Sequence, residues 1–452
     1  MNEPSGASLI DMQIMWHRLI AVVEEQAQVL LRTAFSPIVR ECGDLSAGVF
    51  DLKGRMLAQA VTGTPGHVNS MAESVKHFIS HFPLQTMKPG DAYITNDPWM
   101  GTGHLNDFVV TTPCFKDGKA VALFSCTSHL MDIGGIGFGP DATDVFMEGL
   151  YIPMLKLIDQ GVVNETLMAM IRSITRLPID TEGDTYSLAG CNDVGCQRLV
   201  EMMREFEIDS LDTLGDFICD RSREAVLAEI GKLPKGVWRN SMVVDGYDAP
   251  VTLAATLTIS DEGIHVDFEG TSGASKFGIN VPHSYTTAYT VFGLGCVVAS
   301  QIPNNAGSLS SLTVSAPAGA ILNAPKPAPV ASRHIIGQML PDVVFGCLRQ
   351  IIPERVPAEH ILPVESQCAR ADAQRRRRQL RILDGGDEQR WHRRAFCQGW
   401  IVGHGLSQRR ARHAGRDRGD ADAVDLLAQG VASGFGRRRP HPRWPRPDHR
   451  GR

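Results

Sequence analysis

Two histidines and two aspartates in this sequence share one short spacing. His104 precedes Asp107, and His129 precedes Asp132, with two residues between the members of each pair. The segments FVVTTPCF and AVALFSCTS between the pairs are β-rich and face each other across a Lys-Asp-Gly-Lys turn, which predicts a β-hairpin. The start of one hairpin strand lies beside the end of the other, so the four side chains are expected to converge at its mouth.

The chemistry that this grouping could perform is metal binding. Two imidazoles and a carboxylate can hold one divalent cation and leave positions open for water or substrate, as catalytic sites do. The alternative is that both histidines are ordinary loop residues and that the aspartates cap turns, and the spacing alone leaves both interpretations open. The glycines and Asn96-Asp97-Pro98 ahead of His104 predict a loop whose backbone can approach a ligand closely.

Composition indicates a globular protein outside the membrane. The chain has 452 residues, of which 43% are hydrophobic and 21% charged, and this length predicts two or three domains. No apolar run approaches the roughly 20 residues that span a bilayer, and the acidic, polar N-terminus does not fit a signal peptide. The ten cysteines are scattered without a CxxC pair, which favours free thiols. We therefore expect a cytoplasmic location.

The elements that must position the candidate residues follow from hydrophobic periodicity. Residues 9–34 predict a long amphipathic helix, and SAGVFD and RMLAQA predict two strands, the first entered through Asp44. The segment TGTPGHVNSM, with His67, is predicted as a loop before the helix SMAESVKHFISHF. Residues from about 164 to 232 are predicted to be helical. From 236 to 272 the period changes to two, which predicts an antiparallel meander, and helices recur after it.

The predicted fold is α+β and multi-domain, with antiparallel sheets and amphipathic helices. We expect an N-terminal α+β domain with the hairpin over residues 1–235, and a β-meander with helices over 236–365. Residues 366–452 form an arginine-rich tail. No segment matches a P-loop or the strand-to-helix setting of a dinucleotide fingerprint, so no nucleotide site is expected in this chain.

The tail differs in composition from the body. It contains many arginines and no sustained hydrophobic period, and the last lysine of the chain is Lys326. Clustered positive charge could bind nucleic acid, but such an arm is expected to carry lysine and stacking aromatics as well. Arginine, alanine, glycine, proline and histidine without lysine are what a GC-rich gene encodes in a shifted frame. We therefore expect the tail to be out of frame or disordered, and we expect neither a nucleic-acid nor a membrane partner.

The central motif resembles a known family. NDPWMGTGHLNDFVVTTPCF, SHLMDIGG and EGLYIP resemble the hydantoinase B family, which includes N-methylhydantoinase, oxoprolinase, caprolactamase and subunits of acetone or acetophenone carboxylase. The resemblance continues in ECGDLSAGVFD, DFEGTS and NNAGSLSSLTVSAPAGAILNAPKPAPVASRH. It runs to about Val364, where the family pattern would continue with another large block, so the family domain is expected to be truncated here.

The resemblance implies a function and a set of site residues. It implies a B-type subunit that, with an A-type ATPase subunit in a hetero-oligomer, hydrolyses a cyclic amide such as a lactam or hydantoin at the expense of ATP. The implied ligands of one divalent metal (Zn, Mn or Fe) are Asp44, His104, Asp107 and His129. Catalytic or proton-transfer roles are considered for Glu148, Asp132 and His67, each with a structural alternative.

Two other functions stay open at this point. The same metal could hold a carbonyl oxygen as a Lewis acid, as an ATP-dependent ketone carboxylase subunit would need. Alternatively, the altered C-terminus leaves an inactive, truncated member of the family.

Overall fold

The hairpin predicted at the centre of the chain is present in the computed structural model, which describes residues 8–60 and 64–357. Strand β4 is Asp107–Lys116 and strand β5 is Lys119–His129. Their antiparallel register places Asp107 directly opposite His129. The arginine-rich tail lies outside the described residues.

The hairpin forms the middle of a seven-stranded antiparallel sheet. Its order is β2-β1-β5-β4-β3-β6-β7. The five strands that join β4 and β5 are β1 (Leu45–Phe50), β2 (Met56–Gln59), β3 (Ala92–Thr95), β6 (Leu155–Asp159) and β7 (Val162–Val163). Leu45 of β1 pairs with Ser128 of β5, so the residue before β1, Asp44, lies beside the end of β5. Antiparallel pairing therefore brings a third chain segment to the mouth of the hairpin.

Long helices pack on this sheet. The helices of this part of the chain are α1 (Leu9–Thr33), α2 (Pro37–Arg40), α3 (Pro65–His81), α4 (Glu165–Ile174), α5 (Pro178–Glu205) and α6 (Asp212–Ile230). The Ser8 side chain caps α1 by accepting from the Asp11 backbone N–H, and the Asp11 carboxylate accepts from the Ser8 backbone N–H. Buried apolar residues of α1 and α5 pack with those of β1, β4 and β5 in two clusters. The core of this region is thus a helix layer on a sheet.

Helix α3 begins earlier than the sequence predicts. It starts at Pro65, so His67 lies in its first turn and not in a loop. Proline is favoured at the first helical position because its fixed φ suits the helix and its missing N–H would have no partner there. His67 is consequently held by regular structure and is 3% exposed.

A second sheet follows α6. Its order is β11-β10-β9-β8, from β8 (Gly236–Val244), β9 (Val251–Ile259), β10 (Ile264–Asp267) and β11 (Leu312–Ser315). The first three strands form the predicted antiparallel meander, whereas β11 pairs with β10 in parallel. Strand β9 alternates buried and half-buried residues along its whole length, as one covered face requires. The helices after β10 are α7 (His283–Val298), α8 (Ala306–Leu309), α9 (His334–Gly337) and α10 (Leu340–Leu348).

The last helical segment is divided in two. The sequence predicts one amphipathic helix over ASRHIIGQMLPDVVFGCLRQII, but α9 ends at Gly337 and α10 starts at Leu340. Pro341 explains the division, because proline removes a helix hydrogen bond and is tolerated only in the first turn. Arg333 immediately precedes α9, and its position matters for the site described below.

These elements confirm the predicted α+β fold of helices and antiparallel sheets. The first sheet uses residues before the predicted boundary at 235 and the second uses residues after it, while the domain boundaries themselves remain predictions. Over the described ranges, no helix combines the length and apolar character needed to cross a bilayer. Five of the cysteines there are free and buried: Cys114, Cys126, Cys191, Cys219 and Cys347.

Candidate metal centre

Three side chains converge at the mouth of the hairpin. His104 lies in the loop before β4, Asp107 is the first residue of β4, and His129 is the last residue of β5. One ligand atom from each lies within 4.8 Å of the others, and all three side chains are buried. The convergence follows from the hairpin register, which pairs Asp107 with His129.

The two oxygens of Asp107 face different groups. Oδ1 lies 2.7 Å from Nε2 of His104 and 3.2 Å from Nδ1 of His129. Oδ2 lies 2.9 Å from Nε2 of His67 and 2.6 Å from Nη2 of Arg333. The Oγ1 hydroxyl of Thr102 also donates to Oδ2, at 2.8 Å. Oδ2 is therefore fixed by three donors, and Oδ1 is presented to the two histidines.

The hydrogen bonds of His104 show which of its nitrogens is a candidate ligand. Its Nδ1 lies 2.9 Å from the carbonyl oxygen of Ala331, and a carbonyl can only accept, so Nδ1 carries the hydrogen. Burial, together with the charge of Arg333, lowers the pKa of His104 to about 3. The neutral ring then directs the Nε2 lone pair at Asp107 Oδ1.

This arrangement fits a cation. Two acceptor atoms 2.7 Å apart repel each other unless a proton or a cation lies between them. A backbone carbonyl that fixes the other ring nitrogen is also the usual support of a metal-ligating histidine. His104, Asp107 and His129 thus have the donor types and the support that a divalent metal requires.

Asp44 and His67 extend the cluster. The carbonyl oxygen of Asp44 accepts from the backbone N–H of His129 at 3.2 Å, which places Asp44 at the hairpin mouth. Its Oδ1 accepts from the Thr64 hydroxyl at 2.9 Å and lies 3.5 Å from Nδ1 of His67. That His67 nitrogen is buried and has no hydrogen-bond partner among the described residues. His67 therefore lies next to Asp107, whereas Asp44 lies next to His129 and His67 and is not among the three clustered ligand residues.

Neighbouring charged groups shift the pKa values of two residues of the cluster, Asp107 and His67. Burial by itself raises the pKa of Asp107, but His67 and the Arg333 guanidinium outweigh it and hold this pKa well below the ordinary value. Burial lowers the pKa of His67, but the carboxylates of Asp107 and Asp44 outweigh it, so that the net shift is upward. Asp107 is thus ionised over the whole physiological range.

Glu148 contacts the segment that supports His104 and is not among the clustered ligand residues. Its Oε1 accepts from the backbone N–H of Val330 and Ala331, at 2.5 and 2.8 Å. Its Oε2 is buried and has no partner among the residues that the structure describes. Burial raises the pKa of Glu148 to about 8, against the opposing effect of those two N–H groups. Glu148 therefore fixes the segment whose Ala331 carbonyl holds His104, and it can carry a proton near neutral pH.

Asp132 makes different contacts. Its carboxylate accepts from the Gly134 backbone and the Thr175 hydroxyl, and it pairs with the Arg176 guanidinium at 2.6 Å. These donors tie the end of the hairpin to the turn between α4 and α5. The structure thus places Asp132 in a turn-capping network, and its catalytic role remains a prediction.

Sequence reasoning missed Arg333 and Thr102. Arg333 is 2% exposed, and its Nε donates to the Thr102 carbonyl at 2.7 Å. A buried arginine needs a partner charge, but the 226 positions between Arg333 and Asp107 hide the pairing from any local pattern. The signal available was its place in the segment PVASRH, which carries part of the family resemblance.

The chain is similar in sequence and fold to known proteins. A family model described as hydantoinase B/oxoprolinase matches residues 8–400. The chain belongs to the hydantoinase B/oxoprolinase family. The match continues beyond Val364, where the resemblance is expected to end, and residues 358–400 lie outside the described part of the chain.

Individual relatives of this hydantoinase B family member are more distant. A putative B subunit of a D-/L-hydantoinase from Pseudomonas sp. (strain NS671) is 26% identical over 77% of the chain and 62% of its own length. The crystal structure of an ATP-dependent caprolactamase from Pseudomonas jessenii superimposes with a TM-score of 0.72 at 26% identity, over 78% of this chain and 62% of that one. An acetone carboxylase structure has a TM-score of 0.71 at 17% identity, over 78% of this chain and 50% of that one, which shows a shared fold. The chain spans less than two thirds of the length of each.

Proposed function

We propose that this chain is the metal-dependent B-type subunit of an ATP-dependent cyclic amide hydrolase of the hydantoinase or 5-oxoprolinase type. The observation that carries the proposal is the buried pair of acceptors, His104 Nε2 and Asp107 Oδ1, 2.7 Å apart beside His129. Family membership supports the reaction class, because the related proteins are named for hydantoin and caprolactam hydrolysis.

The proposed ligands are His104, Asp107 and His129, with Asp44 as a fourth ligand and second carboxylate. Mixed nitrogen and oxygen donors suit Zn²⁺, Mn²⁺ or Fe²⁺. When bound, such a cation supplies Lewis-acid chemistry, either by polarising a carbonyl oxygen or by acidifying a water. The residues of the chain supply the rest: Arg333 and Thr102 orient Asp107, and the Ala331 carbonyl holds the His104 tautomer.

Glu148 and His67 are the proposed proton carriers. Each has one polar atom held by a hydrogen bond and one buried atom that has no hydrogen-bond partner within the described ranges. A group that is fixed at one atom and free at the other can receive a proton without reorienting. Hydrolysis of an amide requires a group that takes a proton from the attacking water and a group that gives one to the leaving nitrogen.

ATP enters the proposal through a partner. No segment of the sequence matches the P-loop motif, whereas the caprolactamase relative is named as ATP-dependent and the hydantoinase relative as one subunit of its enzyme. An A-type ATPase subunit in a hetero-oligomer would activate the amide carbonyl and thereby make a poor electrophile reactive. The proposed binding partners are thus a small cyclic amide substrate and this second subunit.

The deciding experiment measures the metal content of the full chain, co-expressed with an A-type subunit, by elemental mass spectrometry. Near-stoichiometric metal is expected in the wild type and a loss of it in His104→Ala and Asp107→Ala. His77→Ala, which removes a histidine of α3 outside the cluster, is the matched control and is expected to retain the metal. Folded wild-type protein without metal would refute the proposal.

The reaction class is tested with the same complex. Hydantoin, 5-oxoproline or caprolactam hydrolysis that requires both ATP and His104 would support the hydrolase. ATP-dependent carboxylation of acetone in place of hydrolysis would assign the chain to the ketone carboxylases, whose acetone carboxylase shares its fold. Metal binding without either reaction would identify an inactive member of the family.

A further inference from the structure

One aromatic side chain covers the candidate metal centre. The ring centroid of Phe138 lies 5.2 Å from that of His129 and 6.1 Å from that of His104, with the rings nearly perpendicular in both cases. Both histidines are almost fully buried, at 5% and 2% exposure, whereas Phe138 is 40% exposed. Phe138 is therefore a partly exposed ring in contact with both buried imidazoles.

Hydrogen bonds fix the backbone on both sides of Phe138. Ile136 is fixed by a hydrogen bond to the Met147 carbonyl at 3.0 Å, and Pro140 is fixed by one from Gly278 at 2.8 Å. Between these anchors, a Cβ added to Gly137 would meet no atom within 4 Å. The three residues 137–139 thus form a short span anchored at both ends, with little packed against its glycines.

A second ring holds Phe138 in place. The ring of His334 stacks on it with a centroid distance of 5.6 Å and an angle of 11° between the planes. Aromatic rings favour planar partners, either stacked with an offset or edge to face. The partly exposed Phe138 ring therefore offers a planar five-membered ring an aromatic contact next to His104 and His129.

We propose that Phe138 is a specificity-determining residue that closes the solvent side of the candidate metal centre and against whose ring a planar cyclic amide binds. This inference rests on the proposed function, because it concerns the substrate of the same site. Phe138 shields the ligands from water and from chelators, and it favours flat rings over small acyclic molecules. Phe138 positions the substrate and takes no part in proton transfer.

The matched control for this inference lies in the same segment. Phe146 belongs to a one-turn helix, Val145–Met147, and is 65% exposed. Phe138→Ala and Phe146→Ala remove the same side chain from neighbouring surfaces. Phe138→Tyr retains the ring and serves as the conservative variant.

The first measurement is the rate at which EDTA removes Zn²⁺ from the loaded full chain. Phe138→Ala is expected to lose Zn²⁺ faster than the wild type, while Phe146→Ala and Phe138→Tyr keep the wild-type rate. The second measurement is binding of hydantoin and of acetone by calorimetry. Phe138→Ala is expected to weaken hydantoin binding about two- to tenfold, the effect of one aromatic contact, and to leave acetone binding unchanged.

The outcomes separate this inference from the one on which it rests. Wild-type protein without Zn²⁺ would overturn both. If the wild type holds Zn²⁺ but Phe138→Ala loses it at the same rate, the role of Phe138 alone is overturned. The same holds if both proteins bind hydantoin with equal affinity or if neither binds it. Equal effects of Phe138→Ala and Phe146→Ala would also overturn it, because they would show only a general loss of apolar surface.

Discussion

Replacing Arg333 by methionine tests how the centre is held together. Arg333 is 2% exposed and contacts Asp107 at 2.6 Å, and its guanidinium carbon lies 3.9 Å from the centroid of the Tyr285 ring. Methionine fills much of the same volume and keeps an apolar contact with Tyr285, but it removes the charge and the donors. Asp107 would then keep its contacts with His67 and Thr102 but lose its guanidinium partner in a buried site.

The cost follows from this burial. Removing one partner of a buried ion pair destabilises a protein by about 3–5 kcal/mol, because the other charge remains desolvated. For a folded unit of about 350 residues, an unfolding entropy of about 2.1 cal/mol/K per residue converts this loss into a fall in Tm of roughly 4–7 °C. Arg333→Lys keeps the charge but not the planar pair of donors, so we expect a smaller fall.

Arg176→Met is the matched control, measured by the same calorimetric or fluorescence melt. Arg176 pairs with Asp132 at the same 2.6 Å, but its side chain is 59% exposed. Pairs exposed to solvent contribute about 0–1 kcal/mol, so its Tm should change little. Equal melting temperatures for Arg333→Met and Arg176→Met would refute the reasoning, since burial would then make no difference to the pair.

Three further predictions concern pH, backbone geometry and metal. The pKa of Glu148 is raised to about 8. Its stabilising contribution is therefore fully present below the unfolded pKa of about 4.3 and is lost as pH rises through about 8. The free energy of unfolding of Glu148→Gln, measured by urea titration, should lack this loss. Parallel pH profiles of the two proteins would contradict the prediction. Gly135 has φ +60°, and a Cβ added there would lie 2.5 Å from the backbone of Glu148. Gly135→Ala should therefore destabilise the protein more than Gly118→Ala, where φ is +77° but an added Cβ would meet no atom within 4 Å. Equal melting temperatures of the two variants would contradict this. Zn²⁺ at a hundred times its Kd should stabilise the wild type by about 2.7 kcal/mol and leave His129→Ala unaffected, as thermal shift would show.

The residues that the sequence predicts correctly to lie together are those joined by local pairing. Asp107 and His129 are partners in one hairpin, and a turn with Gly118 at positive φ specifies the register of that hairpin. Hydrophobic periodicity likewise predicts α1 and the alternation of β9. In each case the information lies within a short window of the chain.

The remaining contacts of the site are long-range, and no spacing rule reports them. Arg333 and the Ala331 carbonyl reach the hairpin from a segment more than 200 positions later. Asp132 has the same spacing from His129 as Asp107 has from His104, yet a nearby arginine, Arg176, binds it outside the cluster. The two His-x-x-Asp motifs therefore acquire different environments through partners that are distant in sequence.

The contacts of the cluster all come from one part of the chain, so metal binding and catalytic activity can be tested separately. Every described contact of the cluster comes from residues between Asp44 and His334, ahead of the change in composition near residue 366. The segment around Ala331 and Arg333 joins the helices that cover the second sheet to the hairpin of the first, so the centre requires both regions to be folded. A chain that folds to residue 357 then possesses all the groups proposed to hold the metal, whatever follows. Retained metal with absent turnover would therefore show that the groups described here suffice for metal binding but not for catalysis, whereas folded protein without metal would refute the metal proposal.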